Sequence, residues 1–323
     1  MKNFAPEFET PEQYIIDITY AIWEERGVGR IREWYAADCP VRTPHGETHS
    51  VDDVVRHTVE TMHEFPDREL LAEDVIIANR DDAFLSSHRV RSLGRHDGNG
   101  AFGTATGRPI TMLAIADCLC RDNQVVEEWL LRDQASVALQ LGLDPAAYGE
   151  SLGRANPDAY TIGNQAMRQR WADPDGLVIV GEPTIANRVI DSYDAILNRH
   201  DLRVIDERYD RALRFEGLAG KLCYGRKQTA NLFTGITASI PDGRFEPHHV
   251  VVRQQPDRAT RVALRWSFCG TLSAYWRYGA PTDQPLALLG ISHFELRDGL
   301  VQNEWFVIDE TAVYAQIAAY RES

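Results

Sequence analysis

The sequence is poor in what marks a chain that binds nucleic acid or a membrane. It carries 34 lysines and arginines against 48 acidic residues, a formal net charge of −14. Phosphate backbones and anionic lipid surfaces need a basic face, so neither is expected as the main partner. No apolar run approaches the roughly 18 residues that span a bilayer. The opening MKNFAPEFETPEQY has no apolar stretch of the leader-peptide kind, and a cytoplasmic protein is expected. Cysteines are few and odd in number: Cys39, Cys118, Cys120, Cys223 and Cys269. One residue separates Cys118 from Cys120, a spacing that suits neither a zinc pair nor a redox pair. We read all five as small buried apolar residues in a reducing compartment. His248 and His249 are neighbours, and on a strand neighbours point to opposite faces, so they do not suggest a metal site. No metal and no cofactor is expected.

What the chain does have is a sentence written twice. Residues 127–134 read EEWLLRDQ and residues 303–310 read NEWFVIDE. Asp309 lies 176 residues after Asp133 (309 − 133), and the same shift aligns other positions without a gap. Gly94 falls on Gly270, Gly103 on Gly279, Pro109 on Pro285, Arg121-Asp122 on Arg297-Asp298, Glu128-Trp129 on Glu304-Trp305, and Gln140 on Gln316. The N-terminal parts align more loosely. YIIDITYAIWEERGVGRIREWYAAD matches RVIDSYDAILNRHDLRVIDERYDRA at an offset near 174, and Phe65-Pro66-Asp67 echoes Ile240-Pro241-Asp242. A fixed-period match of this kind means a tandem repeat. We assign residues 8–143 to the first domain, 144–183 to a turn-rich linker, and 184–323 to the second. Within the linker, PDAYTIGNQAMRQRW reads as a short helix that Met167 and Trp171 would pack onto one of the domains.

Each copy opens with helices. Tyr14, Ile15, Ile18, Ile22 and Trp23 recur at helical spacing behind the start signal Thr10-Pro11-Glu12-Gln13, and Ser50-Val51-Asp52-Asp53 starts a second helix. From Glu69 the pattern turns to strands, with hairpin turns at Arg121-Asp122-Asn123 and Arg297-Asp298-Gly299. Helices followed by a run of antiparallel strands predict an α+β fold. In it, a curved antiparallel sheet carries the helices on its concave face, and a pocket lies between the layers.

The stretch GRHDGNGAFGTATGRPITMLAIADCLCRDNQVVEEWLLRDQASVALQLG resembles the SnoaL-like polyketide cyclase family, within the nuclear-transport-factor-two-like (cystatin-like) superfamily. The resemblance rests on Gly94-Arg95-His96, Gly103, Ala105-Thr106-Gly107-Arg108, Glu128-Trp129, Asp133 and Gln140-Leu141-Gly142. The second copy keeps Gly270-Thr271, Pro281-Thr282, Glu304-Trp305 and Asp309, but has Leu272 for the histidine and Asp283-Gln284 for the Gly-Arg. The resemblance implies two tandem cystatin-like cones, packed sheet to sheet as an intrachain pseudo-dimer that imitates a family homodimer. Further self-association stays open. It also implies intramolecular aldol closure of a small, apolar, carbonyl-bearing molecule, with Asp133 and Asp309 at the family's acid/base position. Such an aspartate needs a pKa raised by apolar burial.

Parity suggests its helpers. Trp129, Leu131 and Asp133 share one face of their strand. A strict two-residue turn would set Asp117 opposite Glu128, whereas one bulged residue sets it with Trp129 and Asp133, the register favoured here. The candidate catalytic set is then Asp117 and Asp133 in the first copy and His293 and Asp309 in the second. Trp129, Trp305, Glu295, His96, Arg91 and Trp266 are candidate pocket residues. Both aspartates also stand where a helix N-cap belongs. Glu128 and Glu304 are read as solvated or paired with an arginine. A binding protein without turnover, or an epoxide hydrolase built from Asp117, Asp133 and Arg91, are the rival functions.

Overall fold

The computed structural model describes residues 7–80, 82–275 and 277–322, with the side chain of residue 322 also left out. The first six residues, read above for an apolar leader, lie outside it. The chain divides into two compact units at Pro145/Ala146.

Unit 1 begins with α1 (Pro11–Trp23), where Thr10 accepts from the Gln13 amide, and α2 (Ile31–Trp34). A small hairpin, β1 (Val41–Thr43) and β2 (Gly46–Thr48), leads to α3 (Val51–Glu64), capped by Ser50. Four long strands follow: β3 (Glu69–Asn79), β4 (Ala83–Arg95), β5 (Pro109–Arg121) and β6 (Gln124–Arg132), then α4 (Gln134–Leu141). Sheet order is β2-β1-β6-β5-β4-β3, antiparallel throughout except that β1 runs parallel to β6. The β5–β6 turn uses Asp122 and Asn123 at positive φ (49° and 64°), the conformation that a tight two-residue hairpin requires. A bulge between Leu119 and Cys120 then sets Asp117 directly opposite Trp129. The bulged register is therefore the one found.

In unit 2 the linker residues pack on the second copy. α5 (Pro145–Ala155), α6 (Gly163–Trp171) and β7 (Val178–Val180) precede α7 (Pro183–Leu197), α8 (Arg203–Arg208), β8 (Tyr209–Gly217), β9 (Lys221–Tyr224) and α9 (Gly225–Ser239). The long strands are β10 (Arg244–Arg253), β11 (Thr260–Thr271), β12 (Pro285–Arg297) and β13 (Leu300–Ile308), closed by α10 (Glu310–Glu322). The order is β7-β10-β11-β12-β13-β8-β9, with β8 parallel to β13 and β7 parallel to β10. Helix α6 packs on β11 and β12 through the buried Met167 and Trp171, whose indole donates to the Gly290 carbonyl at 3.3 Å. The β12–β13 hairpin repeats the bulge 176 residues later, between Glu295 and Leu296.

Each unit is thus a cone: a sheet with its core helices across one face, here called inner, and in unit 2 α6 lies on the opposite face. In unit 1 the inner core joins Tyr14, Ile15, Ile18 and Ile22 of α1 to Ala116, Cys118 and Cys120 of β5. In unit 2 it joins Tyr193 of α7 and Phe233 of α9 to Trp266, Phe294 and Phe306 of the sheet. All five cysteines are free and buried.

Candidate functional site

Strand pairing fixes which side chains line each interior. In unit 1 the rows running across β4, β5 and β6 on the inner face are Ser86–Cys118–Glu128, His88–Ala116–Leu130 and Val90–Ala114–Arg132. The central strand offers only methyl groups and a thiol, against which Tyr14, Ile15, Ile18 and Ile22 of α1 pack. β4 and β6 flank it at about 10 Å from each other, twice the interstrand spacing. Two polar groups face across this gap.

Glu128 on β6 is 7% exposed. Burial raises its pKa above the ordinary carboxylate value. The Tyr35 hydroxyl, which donates to it, and the charge of Arg132 oppose that rise. His88 on β4 has its Nδ1 3.1 Å from the Ser86 hydroxyl, and burial lowers its pKa to about 4, so the ring is neutral at physiological pH. Beside His88 and Val90 opens a cleft of about 350 Å³, lined further by Ile15, Thr19, Glu24, Leu70 and Val75. It lies within the range of small-molecule sites, which begins near 300 Å³.

Unit 2 fills the same space. At the positions of Val90, Leu130 and Cys118 stand Trp266, Phe306 and Phe294, and at that of Thr19 stands Tyr193. The Tyr193 hydroxyl reaches Glu304 Oε1 at 2.5 Å and the Ser292 hydroxyl at 2.8 Å, and the Trp266 indole donates to Ser292 at 3.0 Å. Burial pushes the Glu304 pKa up to about 8, against the bonds from Tyr193 and Tyr209. Rings pack edge-to-face and tilted around Tyr193, with Phe233, Phe245, Trp266 and Phe294 all within 6 Å of its centroid. The carboxylate is retained, but it is sealed in.

The profile of the SnoaL-like polyketide cyclases matches residues 14–141 and again 187–317. The chain belongs to this family. Membership supports a cyclase or isomerase at the level of the family. Similar solved structures include IdmH of Streptomyces antibioticus, assigned as a polyketide cyclase. It is 23% identical, covers 42% of this chain and 100% of that one, and has a TM-score of 0.37. AclR of Streptomyces galilaeus, assigned as a hydroxylase, is 21% identical over 40% of this chain and 91% of that one, with a TM-score of 0.34. No curated protein matches the chain. Among the described residues no helix is long and apolar enough to cross a membrane.

In this SnoaL-like chain the expected site residues fall in several places. Asp117 and Trp129 do pair across β5 and β6, and so do His293 and Trp305 across β12 and β13. They lie on the outer face, opposite the inner core, whereas the reasoning from sequence had turned that face into the cone. In unit 2 this is the face that α6 and the Asp173 just after it cover, through Arg168–Glu246 and Asp173–Arg265; the cone interior is the other face. The face reads as apolar on either side, and only the packing of the helices decides which is inner. Trp129 lies under Arg42, 5.0 Å from ring centroid to guanidinium carbon, and Trp305 lies 6.0 Å from Arg214. Asp133 caps α4, accepting from the Ser136 amide at 3.1 Å, and Asp309 accepts from the Thr311 amide at 3.0 Å and its hydroxyl at 2.7 Å. Glu295 accepts from the Asn303 amide group at 2.7 Å. Arg91 pairs with Glu73 at 2.8 Å. His96, fully buried, sits between Thr106 (3.2 Å) and Glu64 (3.3 Å) under the Phe65 ring. Trp266 is inner, as a plug rather than a pocket wall.

Glu128 and Glu304 are the opposite case. Expected at the solvated surface or beside an arginine, they are the buried carboxylates of the two interiors. His88 was not singled out. Its signal was parity: Ser86, His88, Val90 and Ser92 alternate with Ser87, Arg89 and Arg91 along β4.

Proposed function

We propose that unit 1 is the working half of an acid/base enzyme of the cyclase or isomerase kind, acting on a small carbonyl-bearing molecule. One observation carries the reading: in unit 1 a buried carboxylate shares the inner face of the sheet with His88 and Val90, which line a cleft, while its counterpart in unit 2 is walled in by aromatic rings. Glu128 removes a proton from the carbon next to the substrate carbonyl, and burial gives it the basicity for that task. Tyr35 holds the carboxylate in place through its hydroxyl. His88, neutral and on the far wall, donates a hydrogen bond to the carbonyl oxygen as negative charge gathers there. The proton then returns from Glu128 to carbon or oxygen, and in a cyclisation the carbanion attacks a second carbonyl of the same molecule.

The test needs no knowledge of the product. Deuterium uptake at the α-carbon of 2-tetralone, followed by NMR, reads the proton transfer directly. Glu128→Gln is expected to slow catalysed exchange by at least about a hundredfold, the usual worth of a general base. Glu304→Gln is expected to leave it within about twofold, because nothing reaches that group. Equal loss in both variants, or full activity in Glu128→Gln, would overturn the assignment. Binding of the ketone without any exchange would make unit 1 a binding module.

A further inference from the structure

Arg68 is a charged group that the proposed chemistry leaves unused. It follows the turn Phe65-Pro66-Asp67 and enters the interior of unit 1, where it is 8% exposed. Its Nε donates to the Ser92 hydroxyl at 2.7 Å, and its guanidinium lies 4.5 Å over the Trp23 ring. Ser92 is the next inner-face residue along β4 after Val90, and Trp23 lies one turn beyond Thr19 on α1, so Arg68 stands one step beyond the cleft that Val90, Thr19 and Glu24 line. Burial lowers its pKa, and the charge of Arg132 lowers it further; no acidic group among the described residues raises it. Arg132 itself is inner, two residues beyond Leu130 and four beyond Glu128 on β6, and its charge reaches both Arg68 and Glu128.

A guanidinium stays protonated in a protein, so a buried one without a counter-charge attracts an anion. The repeat supplies the control. At the position of Arg68 unit 2 has Gly243, at that of Arg132 it has Ile308, and at that of Ser92 it has Phe268. A Cβ on Gly243 would lie 2.0 Å from the Phe268 ring. Where aromatic rings fill the cone both cations are gone, and where a cleft remains both are present.

We infer that Arg68 and Arg132 form an anion subsite at the end of the unit 1 cleft, so that the substrate is an aromatic or alicyclic acid held by its carboxylate. This rests on the reading of unit 1 as the working site and names the class of molecule it takes. Four residues of strand, about 13 Å between Cα atoms, separate Glu128 from Arg132. The span sets the anionic end one fused-ring skeleton away from the carbon that loses its proton.

The test is calorimetric titration of the full chain with naphthalene-2-carboxylate and, as the neutral isostere, naphthalene-2-carboxamide. The acid is expected to bind tenfold or more tighter, about what a charge-assisted pair adds. Arg68→Met and Arg132→Met are each expected to erase most of that preference while leaving amide binding within about twofold. Ser92→Phe, which writes the unit 2 residue into unit 1, should abolish binding of both, and it keeps the test open should Arg68→Met fold poorly. Equal affinity for acid and amide, no binding of either at millimolar concentration, or a preference that survives both arginine variants would overturn the subsite. Deuterium exchange on the same protein reads the other proposal separately. Preference without exchange leaves the anion subsite standing and the enzyme reading fallen; exchange without preference does the reverse.

Discussion

The two halves of this chain share a frame and differ in what they enclose. The frame repeats down to single bonds. Asp67 accepts from the Arg95 amide at 2.6 Å, and Asp242 accepts from the Thr271 amide at 2.7 Å. Gln140 brackets Thr111 through both its amide oxygen and nitrogen, and Gln316 does the same for Ala287. The interiors diverge. Val90, Leu130, Cys118 and Thr19 in one cone are Trp266, Phe306, Phe294 and Tyr193 in the other, and Arg68 and Arg132 are Gly243 and Ile308. Duplication lets one copy keep a cavity, which costs dispersion contacts, while the other packs to full density. A site is thus marked by where the repeat keeps a cleft and cations rather than by which motif residues it has kept.

The largest expected effect tests the filling itself. Trp266→Ala removes the ring at the centre of the unit 2 cluster and the donor to Ser292, and should cost about 3–5 kcal/mol in denaturant unfolding. Val90→Ala, at the matching place beside a cleft, should cost about 1 kcal/mol, because there is less packing to lose. Equal costs would break the comparison.

Next comes the sealed carboxylate. The pKa of Glu304 rises from 4.5 to about 8 on folding. Between those values the folded state holds a proton that the unfolded state has released, so its contribution falls as pH rises from about 4.5 to about 8 and is level on either side. The span is worth about 5 kcal/mol at most. Glu304→Gln should therefore match wild type near pH 5 and exceed it at pH 8. A difference between the two Tm profiles that stays flat from pH 5 to 8 would show that Glu304 is not buried as a neutral acid. Smaller again is Gly243→Arg. It restores the unit 1 residue where Phe268 has taken its room, and overpacking should destabilise unit 2 by about 1–3 kcal/mol. Tolerance of it would mean that the plug yields, and that unit 2 is less closed than its contacts imply.

The repeat, the helix starts at Thr10 and Ser50, the long strands and the bulged hairpin were all legible, because caps, turns and period-two alternation are written locally. The inner face was not. Alternation says which residues lie together, never which side the helices will cover, and here both sides of the β5–β6 hairpin carry apolar residues. Leu131 and Ile115 are as fully buried on the outer face as Cys120 is on the inner one. A choice between faces made from one conspicuous aspartate therefore moved the whole set, Trp129 with Asp117 and Trp305 with His293, to the wrong side of the sheet. Arg68 was hidden for a related reason. It follows a Pro-Asp turn that reads as surface, and only the folding of α1 and β4 around it makes it interior.

The smallest predicted effect concerns those aspartates. In both units the aspartate after the last strand accepts a backbone amide in the first turn of the helix that follows, from Ser136 in one and Thr311 in the other. A cap is worth about 1 kcal/mol. Asp133→Ala and Asp309→Ala should then lower stability by similar amounts of that size, and Asp→Ser at either site, which keeps an acceptor, should recover most of it. Because neither change touches the inner face, deuterium exchange measured well below the unfolding temperature should remain within about twofold of wild type. Catalysed exchange lost in Asp133→Ser while the Tm holds would move the base from Glu128 to Asp133 and reopen the outer face of unit 1 as the site. Loss in Asp309→Ser alone would move the working site to unit 2 and undo the comparison of open and filled cones altogether.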